Sequence, residues 1–241
     1  MWLLPARAAI LAIALWTNAA FAGELADFNA AVETAAGHNR VAIGYLRTGN
    51  VDLASLELDR TREAWGALQK RFAGRRPDPF DGNRLYGRTF TGVSARLVAA
   101  ALLLNAGRPD AAMDSLNLLR GDFYELRKAS GIVVLADCVR DANTVMDALM
   151  VYNDRALDFG KPETRFDVAG KAAIYGYVLE RCDGIAGEAI RTEPEFRRLV
   201  DGAKASLALI PKAIATRDAD LLHRLLIELR SFDNLLAFRF G

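Results

Sequence analysis

The side chains that most often catalyse reactions or bind metals are few in this sequence. Its 241 residues include two histidines, His38 and His223, and two cysteines, Cys138 and Cys182. Neither histidine lies at a metal-ligand spacing from the other, from a cysteine or from a close pair of acids. No glycine-rich phosphate loop, nucleophile elbow, zinc motif or calcium loop is present. The sequence therefore predicts no metal and no cofactor, and it favours a protein that is not an enzyme.

The two cysteines suit a structural bond better than a reactive site. Cys138 lies about 25 residues before the middle of a predicted loop at 159–167, and Cys182 about 19 residues after it. Antiparallel helices on either side of that loop would bring the two cysteines to similar heights. In an oxidising compartment such a pair forms a disulfide. Free buried thiols and a catalytic pair are the alternatives, although the spacing is far too wide for a CxxC redox site.

Acidic residues one helical turn apart are the remaining candidates for chemistry. Asp137 and Asp141 form such a pair, with Arg140 between them. They could act as general acid and base only if the fold placed them in a cleft. A solvated helix face is the simpler interpretation.

Arginines and aromatic residues are interspersed around the clearest linker of the chain, residues 74–83, which contains two prolines and two glycines. This mixture is enriched in protein recognition surfaces. The predicted partner-binding residues are Arg75, Arg76, Phe80, Arg84, Tyr86, Arg88 and Phe90. The alternative is an exposed loop whose aromatic rings pack back onto the bundle.

The C-terminal segment, residues 228–241, carries more apolar side chains than one helix face needs. We expect either a helix that is buried centrally or a hydrophobic patch that binds a partner. Arg230 and Asp233 lie three residues apart and could pair with each other or across helices.

Residues 1–22 have the composition of an export signal. Arg7 and the amino terminus supply positive charge, residues 8–16 (AAILAIALW) form an apolar run, and Ala20 and Ala22 occupy the positions that a signal peptidase reads. We predict cleavage after Ala22 and a periplasmic or secreted protein. An uncleaved anchor is the alternative, although the run is shorter than the roughly 20 residues that span a bilayer. No later stretch is apolar enough, on this interpretation, to cross a membrane.

The charge of the chain argues against one class of partner. After removal of residues 1–22, 30 of the 31 basic residues remain, against 30 acidic residues. A protein that binds nucleic acid would carry an excess or a stripe of basic residues. We therefore predict no nucleic-acid partner.

Helical periodicity dominates from residue 24 onward, and no alternating strand pattern is convincing. The sequence predicts an all-α fold in which antiparallel hairpins form one or two bundles, with sub-bundles at 24–128 and 130–241 as one arrangement. Pro211 is expected to kink or break the seventh helix. The eight predicted helices are 25–47, 52–72, 89–105, 110–128, 130–154 with Ser130 as N-cap, 168–181, a helix from 193, and 218–238.

Three turns of the sequence are similar to one another. Residues 45–54 (YLRTGNVDLA) match residues 103–112 (LLNAGRPDAA), and residues 213–220 (AIATRDAD) repeat the pattern without its glycine. In each, an apolar helix end is followed by a tight turn and by an acid that caps the next helix. These turns resemble the middle of the tetratricopeptide repeat, which implies solenoid-like stacking as an alternative to a bundle. However, Gly49 and Gly107 are 58 residues apart, whereas that repeat has a period of about 34, and its aromatic and proline signature is missing.

The predicted architecture is also similar to exported four-helix-bundle proteins of the cytochrome c′ and b562 class. Their c-type branch attaches haem through a CxxCH motif, which this chain lacks. Their b-type branch uses a methionine near the start and a histidine near the end of one bundle, and nothing pairs Met113 with His223. The resemblance therefore implies a helical bundle without haem.

These residues favour an exported helical accessory or scaffold protein that binds a protein partner and does not insert stably into a membrane once the signal is removed. The alternative is a periplasmic bundle that binds a small ligand or a metal. That function would require buried charges, such as Arg62, Asp137 or Arg140, in a polar pocket between helices. An enzyme would need acids and arginines on facing helices.

Overall fold

The structure, a computed structural model, describes the backbone of residues 6–153 and 157–241 and the side chains from residue 23 onward. The predicted signal peptide, residues 1–22, and its cleavage site after Ala22 lie outside the fully described residues. Every regular element within the described ranges is helical, which confirms the predicted all-α fold.

Nine α-helices and one 3₁₀ turn occur in the described residues. The helices are α1 (Ala6–Arg47), α2 (Val51–Phe72), α3 (Leu85–Asn105), α4 (Pro109–Lys128), α5 (Leu135–Met150), α6 (Pro162–Ile185), α7 (Glu188–Arg191), α8 (Pro194–Thr216) and α9 (Ala219–Phe240). The 3₁₀ turn, Asp78–Phe80, lies in the predicted linker. The helix that the sequence did not predict is α7, a single turn.

The chain divides into two compact units, Met1–Ile132 and Val133–Gly241, which we call unit 1 and unit 2. In unit 1, α1 packs on α2 and α4, and α3 packs on α2 and α4. Unit 2 is a ring of four long helices, because α5 packs on α6 and α9 while α8 packs on the same two helices. The short helix α7 connects α6 to α8.

Aromatic side chains fill the core of unit 1. The Phe28 ring lies at the centre, with its centroid 5.0 Å from that of Phe80 and 5.4 Å from that of Phe72. Tyr86 is 1% exposed and donates a hydrogen bond of 2.8 Å to the Phe72 carbonyl. Burial raises the pKa of Tyr86 to about 12, despite the nearby charge of Arg76.

One helix of the described residues, α3, is long and apolar enough to cross a membrane by length and composition alone. The expectation that no later stretch reaches that composition was therefore wrong. The apolar side chains of α3 also form part of the core of unit 1, where Phe90, Val93 and Leu97 are buried. A core helix of a bundle passes the same test of length and composition.

Four helices end with the same turn. In each, one of the first three residues after the helix has a positive φ: 76° at Gly49, 68° at Gly107, 68° at Gly131 and 53° at Arg217. Two backbone bonds close each turn, for example from the Gly107 N–H to the Leu104 carbonyl and from the following N–H to the Leu103 carbonyl. This is the Schellman motif, which normally requires glycine at the left-handed position. Arg217 takes that position at the end of α8.

The prediction that an acid caps the next helix was wrong at two of the three similar turns. Only Asp218 caps its helix, through a 2.8 Å bond from the Leu221 N–H to its Oδ1. Asp52 and Asp110 lie inside the first turns of α2 and α4 instead. There they still interact favourably with the positive end of the helix dipole.

Several predicted helix bounds in unit 2 were wrong. Helix α6 was predicted at 168–181 after a loop at 159–167, but it runs from Pro162 to Ile185. Helix α5 begins at Leu135, and Ser130 is not its N-cap but accepts a 2.7 Å hydrogen bond from Asn83. Helix α8 continues through Pro211 as one helix, so the predicted break does not occur. The neighbouring side chains of Ile210 and Ala213 are buried, and their packing offsets the backbone bond that proline removes.

The C-terminal helix α9 is largely packed against unit 2. Its buried leucines face α5 and α8, and the Phe240 ring lies 5.1 Å from the Phe196 ring. A Cβ atom on Gly202 would lie 2.6 Å from the Phe232 ring, so this glycine allows the ring to approach α8 closely. Of the large apolar residues of α9, Ile227, Leu235 and Phe238 remain exposed by more than a third.

Candidate functional site

Helix α6 carries apolar side chains on two separate faces. One face contributes Val168, Tyr175 and Leu179 to the core of unit 2. Another exposes Phe166, Ile174 and Tyr177, whose exposed fractions are 77%, 53% and 68%. Large apolar side chains that stay exposed together often mark interaction surfaces of folded proteins. The exposed side of α6 is therefore a candidate for a docking surface.

A cleft of about 700 Å³ lies between α6 and α8, next to this exposed face. Its depth comes from small residues on α6, and a Cβ atom on Gly176 would already touch the Leu207 side chain at 3.6 Å. Ala172 and Ile210 are buried at its floor. The apolar lining consists of Ala169, Ala172, Ala173 and Gly176 from α6, and Leu207, Ala208, Ile210, Pro211, Ile214 and Ala215 from α8.

The two walls of the cleft run in opposite directions. Arg165 near the start of α6 and Arg217 after the end of α8 line one end of the cleft, and Glu180 and Lys204 line the other. From Arg165 to Glu180, α6 advances about 22 Å along its axis, at about 1.5 Å per residue. The cleft is therefore about as long as four turns of helix.

The end formed by Arg165 and Arg217, which we call the arginine end, holds two positive charges. The Arg165 guanidinium donates hydrogen bonds to the carbonyls of Phe159 and Gly160, which fix its position without neutralising it. Arg217 is exposed. Within the part of the chain that the structure describes, neither arginine forms a salt bridge with a carboxylate. The arginine end can therefore accept an anionic group.

The opposite end of the cleft has a different electrostatic character. The Lys204 Nζ lies 3.2 Å from Asp183, whose other hydrogen-bonding partner is Arg197. Burial acts to raise the pKa of Asp183, but the hydrogen bonds from Arg197 and Lys204 outweigh it and hold the pKa below its ordinary value. Lys204 is thus already paired. Glu180 is exposed and adds a negative charge beside it.

A buried polar cluster lies elsewhere in unit 2. Asp233 is 1% exposed, 3.2 Å from the Arg230 guanidinium and 3.4 Å from the Tyr175 hydroxyl, and Arg230 also pairs with Asp147 on α5. The predicted pair of Arg230 and Asp233 therefore exists within α9. Arg230 also pairs across helices, with Asp147 of α5. Burial raises the pKa of Asp233 to about 6. None of these residues lines the cleft.

The predicted partner-binding cluster does not form one surface. Phe80, Tyr86 and Phe90 are at most 5% exposed and belong to the core of unit 1, so the prediction was wrong for these three residues. Their rings are buried because they pack around Phe28. The four arginines, Arg75, Arg76, Arg84 and Arg88, are exposed. A partner-binding role for them stays a prediction.

Cys138 and Cys182 lie close together on neighbouring helices, as the sequence predicted. The Cα atoms of Cys138 on α5 and Cys182 on α6 are 5.4 Å apart, which is a normal disulfide distance. Both side chains are buried in the core of unit 2.

None of the charges proposed for a ligand pocket lines the cleft. Arg62 is half exposed and pairs with Asp59 at 3.1 Å, so it is not a buried charge. Asp137 is buried and Arg140 is half-buried, but neither lines the cleft. His38 forms a 2.8 Å contact with Glu57 that joins α1 to α2.

No family model, curated protein or solved structure matches this chain. Its function must be inferred from its own geometry. The sequence already contained one signal of the site: Phe166, Gly170, Ala173 and Tyr177 recur at steps of four, three and four, away from the core stripe of α6. The cleft itself had no such signal, because its shape depends on how α6 and α8 are aligned.

Proposed function

We propose that this protein is an exported accessory or scaffold protein that binds a protein partner, and that a helix of that partner docks in the cleft between α6 and α8. The observation that carries the proposal is the exposure of Phe166 and Tyr177 on the face of α6 beside this cleft. Aromatic residues supply much of the binding energy at protein interfaces.

The shape of the cleft favours a helix over other elements. It is about four helical turns long, and Ala169, Ala173, Ala208 and Ala215 are exposed along its walls, so it is open along its length. Small side chains in the walls leave room for larger apolar ones from outside. Helix-in-groove recognition uses such a surface and places anchors at positions i, i+3 or i+4, and i+7.

Export has two lines of support. Residues 1–22 combine a basic start, an apolar run and alanines at the cleavage positions, as secretory signals do. The cysteine pair lies at disulfide distance, and disulfides persist in oxidising compartments such as the periplasm.

One observation favours a second candidate function, the binding of a small ligand. The cleft volume of about 700 Å³ falls within the range of small-molecule pockets, roughly 300–1,000 Å³. The apolar lining and the arginine end would suit a long apolar molecule with an anionic head. The open walls favour the helix, because small-molecule sites usually enclose most of their ligand.

Site-specific photocrosslinking tests the proposal. A benzophenone amino acid replaces Phe166 or Tyr177 in the full chain, and the control carries it at Leu102 of unit 1, which is 64% exposed, close to the 68% of Tyr177. After irradiation of cells, the periplasmic fraction is analysed by mass spectrometry for covalent adducts. We expect the same protein to be linked from positions 166 and 177 but not from 102.

A second variant separates docking in the cleft from contact with nearby rings. Ala173→Trp fills the cleft from an exposed position, so it should abolish the adduct at position 177 while the protein stays folded by circular dichroism. Absence of any adduct, or identical adducts at position 102, contradicts the docking site. Absence of the protein from the periplasmic fraction and the medium contradicts export.

A further inference from the structure

We infer that the cleft selects its partner helix by charge and by direction. The arginine end, Arg165 and Arg217, binds an acidic end of that helix. This inference rests on the proposed docking function and adds the chemistry of the partner. The cleft would therefore select an amphipathic helix with an apolar stripe of about four turns that ends in one or more carboxylates.

The first step is the conformation of Arg217. Its φ of 53° lies in the left-handed region, and its N–H and that of Asp218 close the same turn that Gly49, Gly107 and Gly131 close elsewhere. A left-handed conformation is unfavourable for a residue with a side chain. Glycine would meet the backbone requirement without this cost. The side chain of Arg217 therefore needs a separate explanation, and it lines the cleft.

The second step is the charge at the arginine end. Arg165 is oriented by two carbonyl groups of the preceding loop, and carbonyl groups leave its positive charge uncompensated. Two guanidinium groups beside an apolar wall interact with a carboxylate more strongly than they would in open water. Arginine can also bind a carboxylate through two parallel hydrogen bonds.

The third step is the asymmetry of the cleft. At the far end Lys204 is engaged by Asp183, and Glu180 is exposed. A partner carboxylate placed there would meet a like charge rather than a free cation. Charge complementarity contributes chiefly to specificity and orientation. Only one direction of an acid-ended helix is then favoured.

A simpler role for Arg217 is a favourable interaction with the negative end of the α8 dipole. That role concerns folding alone. The variant Arg217→Gly separates the two roles, because it removes the charge and relieves the backbone strain at once. On our inference it leaves the fold intact or more stable and weakens binding.

The test uses three synthetic amphipathic peptides of about 16 residues with capped ends and one leucine stripe. They differ only at one end, which carries two glutamates, two glutamines or two lysines. Fluorescence anisotropy measures their affinity for the purified protein and for Arg165→Gln, Arg217→Gln, Arg217→Gly and the double glutamine variant. The control is Arg224→Gln, an exposed arginine of α9 that does not line the cleft.

At low salt we expect each cleft variant to weaken binding of the glutamate peptide by roughly two- to fivefold and the double variant by about tenfold, as for exposed ion pairs. The effect should shrink at about 1 M salt, where the screening length falls to about 3 Å. The glutamine peptide should respond little to these variants, and Arg224→Gln should change nothing. A photoreactive group at the glutamate end should label residues near Arg165 or Arg217.

The possible failures are distinct. If the glutamate and glutamine peptides bind every variant with the same affinity, the inference about charge is wrong, but docking of a helix in the cleft is still supported. If no peptide binds, helix docking in the cleft is overturned too. Hexadecanoate is included as a competitor, and stoichiometric binding of it without binding of any peptide would assign the cleft to an acyl-chain carboxylate. If Arg217→Gly changes only the unfolding transition, Arg217 serves α8 alone.

Discussion

Asp233 is a carboxyl group in an environment that disfavours its charge. Burial is the main cause of its raised pKa, about 6, and the charge of Asp147 raises it further. Bonds from Asn143 and Tyr175 and the charge of Arg230 act in the opposite direction without cancelling the effect of burial. The folded protein therefore holds a proton on this group at pH values where the unfolded chain has lost it.

This difference predicts a pH-dependent stability. The contribution of Asp233 is fully present below about pH 4, the pKa of an unfolded aspartate, and is lost as the pH rises through about 6. Asparagine resembles the protonated acid, so the free energy of unfolding of the wild type should fall relative to Asp233→Asn by about 2–3 kcal/mol between pH 4 and 7. Urea unfolding at several pH values measures it.

The matched control for this prediction is Asp114→Asn, which removes an exposed carboxyl group of α4. Its difference from the wild type should stay nearly constant over the same range. A constant difference for Asp233→Asn as well would show that folding does not raise the pKa of the buried carboxyl group.

For individual residues, the sequence predicted which side chains pair better than it predicted how deeply they are buried. The three-residue spacing predicted the Arg230–Asp233 pair, because such residues are neighbours on a helix. It could not predict that Tyr175 of another helix covers Asp233. The same limit explains Phe80 and Tyr86: a linker composition places them outside helices, while their burial depends on Phe28, far away in the sequence.

At the scale of elements, the shared helix ends give a direct test of the turn geometry. Gly107→Ala places a side chain at a φ of 68°, so we expect the free energy of unfolding to fall by about 1–2 kcal/mol. Gly66→Ala lies inside α2 with no atom near its Cβ position, so it should gain about 0.5–1 kcal/mol. Urea unfolding of both variants measures the contrast. Equal effects would contradict the turn assignment.

Helix boundaries were predictable where the chain uses glycine turns. The ends of α1 and α3 fall where Gly49 and Gly107 predicted them, since a left-handed residue ends a helix locally. The start of α5 was missed because Val134, its first flanking residue, has no capping side chain. Continuity of α8 through Pro211 was missed because tertiary packing outweighs one lost backbone bond.

For the molecule as a whole, the two cysteines tie together the helices that form one side of the ring in unit 2. A bond between them joins residues that are 44 positions apart in the sequence, and the chain-entropy model values such a loop at about 4 kcal/mol. Reduction, or the double variant Cys138→Ser/Cys182→Ser, should lower the unfolding midpoint of unit 2. Far-UV circular dichroism in urea, with and without reductant, measures it.

The matched internal control for this prediction is Trp65. It is the one tryptophan left after residues 1–22 are removed, and it is buried in unit 1. Its fluorescence transition should change little on reduction, because the closed loop lies entirely in unit 2. If reductant leaves both transitions unchanged, the bond does not form in solution.

The sequence predicted the fold class and the approach of the two cysteines, whose Cα separation of 5.4 Å fits that prediction. Both depend on periodicity and on pairing of consecutive helices. The cleft was beyond such reasoning, because α6 and α8 are separated by a short helix and their alignment is a property of the whole four-helix ring. The helical spacing of Phe166 and Tyr177 was visible in the sequence, but the exposure of their side chains was not.

The left-handed arginine has a consequence for how this chain can vary. Every arginine codon becomes a glycine codon through a change of its first base alone. Relief of the strain at Arg217 is therefore always a single mutation away, and that mutation would not disturb the turn. If only the turn were needed, substitution of Arg217 by glycine would be common among natural variants. The residue found at this position in such variants therefore indicates whether the arginine has been under selection.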